Sequence, residues 1–187
     1  MSLAGFVVAG GRSARMGQDK AMLLFSGQTL LDHAITKLRA VTDHVFVLCG
    51  PTRRYEECGV PVIEDAICGA GPAGGLYSAL ASAQARGHLH ALWLAVDLPL
   101  VPVSVLTSLV DTLGDADVAM ARTETGLEPL CAAFRTTPCL TAVRHAILRG
   151  RLKLTDALAG LNLHEVEADA TLFANINSPA EYNRLAR

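Results

Sequence analysis

Leu3-Ala-Gly-Phe-Val-Val-Ala-Gly-Gly-Arg-Ser-Ala-Arg-Met-Gly-Gln-Asp-Lys20 passes from an unbroken apolar run into a glycine-rich cationic segment. An apolar run with no polar alternation fits a strand buried on both faces, the condition of strands in a parallel sheet covered by helices. Gly10-Gly11 ends the run and opens a loop that carries Arg12, Arg15 and Lys20. The run is too short to span a bilayer and lacks the basic region of a signal peptide, so it reads as the first strand of a cytoplasmic protein.

The rest of the chain extends this pattern. Thr29 to Val41 reads as a helix capped by Thr29, with Leu30, Leu31, Ala34, Ile35 and Leu38 on one stripe. His44 to Cys49 and Val60 to Ile63 read as short strands, and Ala73 to Arg86 as a helix. His90 to Val96 is the most apolar strand and belongs at the centre of the sheet; it ends at Asp97 and Pro99. Val103 to Leu113 follows as a helix, then extended segments at Asp117 to Ala121 and Leu130 to Phe134. Thr137-Pro138 reads as a cap and first position of a helix running to about Arg149, and Ser178-Pro-Ala-Glu181 as a capping box opening a closing helix. Strands alternating with helices imply an α/β fold built of βαβ units: a Rossmann-like three-layer α/β/α arrangement with a mostly parallel sheet. With no internal repeat or linker, residues 1–187 are expected to form a single domain.

Composition narrows the function. Hydrophobic residues make up 51% of the chain, charged residues 18%, and the net charge is −2. That interior-rich balance, with no basic block, argues against a nucleic-acid partner and against a membrane protein. The five cysteines include no C-x-x-C pair, so they read as free thiols rather than as zinc ligands or a redox centre.

The residues carrying chemistry cluster after the predicted strands. Behind Val8 and Ala9, Gly10 and Gly11 let backbone N–H groups approach phosphate oxygens, while Arg15 and Lys20 add the positive charge a triphosphate needs. The bland alternative is a tight turn flanked by solvated charges. The glycine spacing fits neither G-x-G-x-x-G nor G-x-x-x-x-G-K-[ST], which disfavours a dinucleotide oxidoreductase and a P-loop enzyme. Asp97, at the carboxyl end of the most apolar strand, is placed either to hold Mg²⁺ or to cap a turn. Glu64 or Asp65, after another strand, can accept the N–H groups of guanine or can serve as an ordinary cap. Gly69 to Gly75, including Gly71 and Gly74, reads as a loop ahead of a helix, offering close backbone approach to a nucleotide or simple flexibility.

The motif Ala-Gly-Gly-x-Ser-x-Arg-Met-Gly-x-Asp-Lys, Ala9 to Lys20 here, resembles the signature loop of nucleotidyltransferases that transfer NMP groups. Its Asp19-Lys20 ending resembles the molybdenum cofactor guanylyltransferase branch. Val96-Asp97-Leu-Pro99, Gly71-Pro72 with Gly74 and Gly75, Glu128 to Phe134 and Asn175-Ile-Asn-Ser-Pro179 resemble further segments of that family, so the likeness covers nearly the whole chain. The chain departs from it at Leu48-Cys49-Gly50, where the family often has an asparagine.

The resemblance implies transfer of GMP from GTP to the molybdopterin of the molybdenum cofactor, with release of pyrophosphate. Mg²⁺ would be held by Asp97. Val8, Ala9, Gly10, Gly11, Lys20, Asp65, Gly71, Gly74 and Asp97 would bind nucleotide, with Arg15, Lys20 and Asp97 catalytic. Asn175 and Asn177 would bind the pterin, a phosphate or the metal's water shell, or else cap the last helix. The N-terminal half is thus expected to bind nucleotide and the C-terminal half the acceptor. Molybdoenzymes receiving the cofactor, and their chaperones, are further implied partners. The competing readings are a cytidylyltransferase on the same pterin, another NTP:phosphate nucleotidyltransferase, and a non-catalytic nucleotide or cofactor carrier.

Overall fold

The structure, a computed structural model, describes residues 2–10 and 19–185. Arg15 and Gly11, both expected in the site, lie outside the described residues. The described elements are β1 (Leu3–Val8), β2 (Leu24–Phe25), β3 (Gln28–Thr29), α1 (Leu30–Arg39), β4 (Val45–Leu48), β5 (Val62–Ile63), α2 (Gly71–Ala85) and β6 (His90–Ala95). They continue with α3 (Val103–Leu113), β7 (Val118–Thr123), β8 (Gly126–Arg135), α4 (Thr136–Leu148), α5 (Leu154–Ala157), β9 (Leu163–Glu167) and α6 (Pro179–Leu185). Single 3-10 turns lie at Lys20–Met22 and Ala170–Phe173.

Among the described residues a seven-stranded sheet runs in the order β5-β4-β1-β6-β8-β7-β9. Its pairs are parallel except where β8 meets β6 and β7. β6 takes the middle position, as its continuous apolar run requires, with Leu92, Trp93 and Leu94 fully buried. α1 and α3 cover one face through Leu30, Leu38, Leu106 and Leu109. α2 and α4 cover the other through Leu76, Leu80, Cys139 and Val143. Burying side chains of this size contributes about 1.5–3 kcal/mol each, which makes the two helical layers, rather than strand pairing alone, the main stabiliser of the sheet. Among the described residues no helix is long and apolar enough to cross a membrane.

Several local expectations need correction. α2 begins at Gly71, ahead of the expected Ala73, so Gly71 and Gly74 belong to the helix rather than to a loop before it. Packing explains this: a Cβ on Gly74 would lie 2.9 Å from both Ala70 Cβ and the Ile67 carbonyl oxygen, so glycine lets the first turn close against the incoming chain. Thr137 does not cap α4. β8 runs straight into that helix, leaving no loop for a capping side chain, and Thr136 N instead donates to the Leu89 carbonyl at 2.9 Å. β8 also begins at Gly126, earlier than the expected Leu130, and α5, β9 and the β2–β3 hairpin answer to no expected element. The capping box is present: Glu181 N donates to Ser178 Oγ at 3.3 Å, and Ser178 Oγ donates to Glu181 Oε2 at 3.0 Å.

Candidate active site at the carboxyl edge of the sheet

β1 and β6 are parallel neighbours with Val8 opposite Ala95, so the segments following them leave the sheet side by side. Val96 N donates to the Val8 carbonyl at 3.1 Å and extends the pairing to the edge. On the other side of β1, Ala9 N donates to the Leu48 carbonyl at 2.9 Å. Just beyond, Gly10 and Gly50 meet backbone to backbone: a Cβ on Gly10 would sit 2.7 Å from Gly50 N, and one on Gly50 would sit 2.9 Å from the Gly10 oxygen. Gly50 also holds φ +83°, in the left-handed region. The residue that departs from the family pattern is therefore required by the close contact of two strand ends.

Three distant segments meet at this edge. Lys20, first residue of its 3-10 turn, donates through Nζ to Asp97 Oδ2 at 2.9 Å and to Asn177 Oδ1 at 2.7 Å. The Lys20 and Asp97 side chains are 17% and 15% exposed, so this ion pair is shielded from water in a way surface pairs are not. The 174–177 segment is clipped to the same loop, since Ile176 N donates to the Asp97 carbonyl at 3.1 Å. Ile176 is buried, between an exposed Asn177 and a half-buried Asn175. From the opposite side Lys37, on α1, donates to the Pro99 carbonyl. Burial pushes the Lys37 ammonium below the usual lysine range, and its bond to Pro99 pins the turn that presents Asp97.

Asn177, expected on the acceptor side, thus meets Lys20 and Asp97, expected on the nucleotide side, at one edge of the sheet. Neither asparagine side chain caps α6: Ser178 holds that place, and the Asn177 backbone N–H donates to Glu181 Oε2 at 2.8 Å.

Two buried oxygens here are of the kind a hard cation takes. Asp97 Oδ1 and Asn175 Oδ1 are inaccessible to solvent and receive no hydrogen bond from any described residue. No group of three or more His, Cys, Asp or Glu side chains converges among the described residues. A cation here would take a single protein carboxylate and complete its shell from amide, water or phosphate oxygens, a donor set that suits Mg²⁺ and not zinc.

Further along the edge Asp65 N donates to the Gly50 carbonyl at 2.9 Å, placing Asp65 behind the glycine contact. Its carboxylate lies 3.8 Å from the point where a Cβ on Gly75 would stand. Burial holds the Asp65 carboxyl above the usual aspartate range. Glu64, the rival candidate, is exposed and paired with Arg53 at 3.7 Å. The structure thus separates the two acids: Glu64 is a surface ion-pair partner, and Asp65 faces the start of α2.

Sequence reasoning missed Lys37, Arg54 and Tyr55. Arg54 and Tyr55 follow β4 at the carboxyl edge, where ligands of open α/β sheets bind, and that position was the available signal. Lys37 sits on the polar side of an amphipathic pattern and gave none.

Comparison with known proteins identifies the family. Residues 5–165 match the MobA-like NTP transferase domain. A molybdenum cofactor guanylyltransferase of Yersinia pestis is 30% identical, over 96% of this chain and 93% of the relative. A probable molybdenum cofactor guanylyltransferase of Carboxydothermus hydrogenoformans is 28% identical, over 97% of this chain and 93% of the relative. In fold, the chain is similar to the molybdopterin-guanine dinucleotide biosynthesis protein A of Archaeoglobus fulgidus, with TM-score 0.76 and 23% identity over 98% of this chain and 96% of the other.

Proposed function

Because the chain belongs to the MobA-like NTP transferase family, and is therefore a nucleotidyltransferase, we propose that it transfers GMP from GTP to the phosphate of molybdopterin in molybdenum cofactor biosynthesis. The observation that carries this reading is the meeting of Lys20, Asp97 and Asn177 where β1 and β6 end.

In the transfer, an oxygen of the acceptor phosphate bonds to the α-phosphorus of GTP. The bond from that phosphorus to the α–β bridging oxygen breaks, and its electron pair leaves with pyrophosphate. The attacking phosphate is ionised at neutral pH, so no general base is needed, and catalysis consists of alignment and charge neutralisation. Lys20 transfers its ammonium from Asp97 to the triphosphate as the nucleotide enters. That exchange leaves the Asp97 carboxylate, with Oδ1 already unpartnered among the described residues, able to hold Mg²⁺. When bound, the metal neutralises charge on the reacting phosphates. Gly10, packed backbone to backbone against Gly50, fixes where the chain leaves β1 toward the phosphates.

Asp65 serves the base. Its carboxylate accepts no side-chain or backbone hydrogen bond from a described residue, and guanine offers two N–H donors on one edge. Cytosine offers a single amino donor on the corresponding edge, so a lone carboxylate favours guanine. Asn175 and Asn177 stand at the boundary between nucleotide and acceptor, with Asn177 able to follow Lys20 or to meet the acceptor phosphate.

The test is mass spectrometry of products after incubation with GTP, CTP, Mg²⁺ and molybdopterin. Formation of the guanine dinucleotide with one pyrophosphate released per transfer is the expected result. A cytosine product in its place would assign a cytidylyltransferase, and tight GTP binding without product would assign a carrier.

A further inference from the structure

The undescribed residues 11–18 connect two points that are held by the same pair of side chains. Arg54 Nη2 donates to the Ala9 carbonyl at 3.4 Å and to the Cys49 carbonyl at 3.0 Å, tying the ends of β1 and β4 together. Its other nitrogen, Nη1, donates to Asp19 Oδ2 at 3.1 Å. Tyr55 places its hydroxyl 2.7 Å and 2.9 Å from the two Asp19 carboxylate oxygens and 3.5 Å from the Ala9 carbonyl. A phenol has one proton to give, and the distances assign it to Asp19. The Arg54 guanidinium also lies over the Tyr55 ring at 5.0 Å, so each of the pair fixes the other. Tyr55 adopts φ +67°, a conformation that costs a bulky residue energy and persists only where surrounding contacts hold it.

Asp19 is the step between this pair and the reacting edge. While receiving Arg54 and Tyr55 it also accepts from Ala21 N at 3.1 Å, capping the 3-10 turn of which Lys20 is the first residue. Three donors converge on one half-buried carboxylate, and the residue after it is the lysine that reaches Asp97 and Asn177.

We propose that Arg54 and Tyr55 are positioning residues for nucleotidyl transfer: through Asp19 they set the direction in which Lys20 leaves its turn. The proposal rests on the reading that Lys20 acts on the triphosphate. It gives Asp19 a part distinct from its neighbour: the Asp19 carboxylate receives Arg54, Tyr55 and Ala21 N, while Lys20 reaches Asp97 and Asn177. A side chain that only stabilised the fold would affect melting temperature without affecting where Lys20 points.

The experiment compares Tyr55→Phe, which keeps the ring, Arg54→Met, and Arg54→Lys as the conservative variant. The ligand-free proteins are treated with acetic anhydride, and mass spectrometry follows acetylation of Lys20 with Lys153 as the internal standard. In the wild type Lys20 is shielded by its ion pair. The expected result is a severalfold rise in the Lys20 rate in Tyr55→Phe and Arg54→Met, with partial recovery in Arg54→Lys. Transfer kinetics should show kcat about 10- to 100-fold lower, the size of loss a misplaced group produces, with KM for GTP changed less. An unchanged Lys20 rate overturns the proposal, whether or not turnover or melting temperature falls. If the wild type transfers no GMP, the functional reading fails, and the labelling rates alone decide whether the clasp directs Lys20.

Discussion

At the level of single residues the proposed function sets Lys20 and Mg²⁺ in competition for the Asp97 carboxylate. If Lys20 acts on the triphosphate as proposed, Lys20→Ala should lower turnover roughly 10²- to 10³-fold in a pyrophosphate-release assay. Turnover within about threefold of wild type would leave Lys20 a structural ion-pair partner of Asp97 and not a group acting on the phosphates, since a transition-state donor contributes more than that. The same lysine neutralises Asp97 before nucleotide arrives, which predicts an effect of opposite sign on metal binding. Lys20→Met should bind Mn²⁺ more tightly than wild type in the absence of nucleotide, by roughly tenfold or about 1.4 kcal/mol, as read by electron paramagnetic resonance. Equal affinities would place the metal away from Asp97. These residues were only partly legible in the sequence. Lys20 and Asp97 stand beside strand ends and could be singled out there. The bond from Lys20 to Asn177 spans 157 positions, and no local pattern encodes it. The residues themselves left Glu64 and Asp65 open and only the resemblance pointed to Asp65; the structure adds that Glu64 pairs with Arg53.

At the level of elements, the strand ends are held at a spacing that tolerates no side chain. Gly50→Ala puts a Cβ 2.9 Å from the Gly10 oxygen at a backbone angle alanine rarely adopts, so it should both destabilise the fold and weaken GTP binding. Chemical denaturation and isothermal titration would check the two effects, and wild-type values in both would show that the strand ends move apart freely. Elements with a strong periodic or continuous signal were legible: β1, β4, β6, α1, α3 and the capping box of α6. Those missed had weak signals for physical reasons. β9 reads Leu-His-Glu-Val-Glu, a half-exposed edge strand with no continuous apolar run. β8 was placed late because Glu128-Pro129 lacks strand character, and its pairing with β7 shifts register between Met120 and Ala121. α5 has four residues, too few to show a helical period.

At the scale of the whole molecule, the two edges of the sheet serve different ends. The amino edge carries His44 and His88, ring centroids 4.6 Å apart, with His88 Nδ1 3.1 Å from Ser2 Oγ. Burial, then the neighbouring His44 and Arg86 charges, hold the His88 pKa below the ordinary 6.5, and burial moves His90 the same way. Both rings are kept neutral by the fold, so the unfolded chain binds more protons as the pH drops through 6.5. The stability these histidines contribute is present above that value and is lost as the medium acidifies towards their folded pKa. Urea midpoints measured from pH 7.5 down to 5.5 should therefore decline, and less steeply in His88→Asn; parallel curves for the two proteins would remove the histidines from the account. The carboxyl edge has a dependence of another kind, in time rather than in pH. Lys20 stands early in the sequence, while the amide it bonds, and the Ile176 clip that seats that segment on Asp97, stand far along it. On the ribosome every strand through β9 is made before the 174–177 segment emerges. A nascent chain can then complete its sheet while the carboxyl edge is still open, and that edge closes only after every described strand has been made.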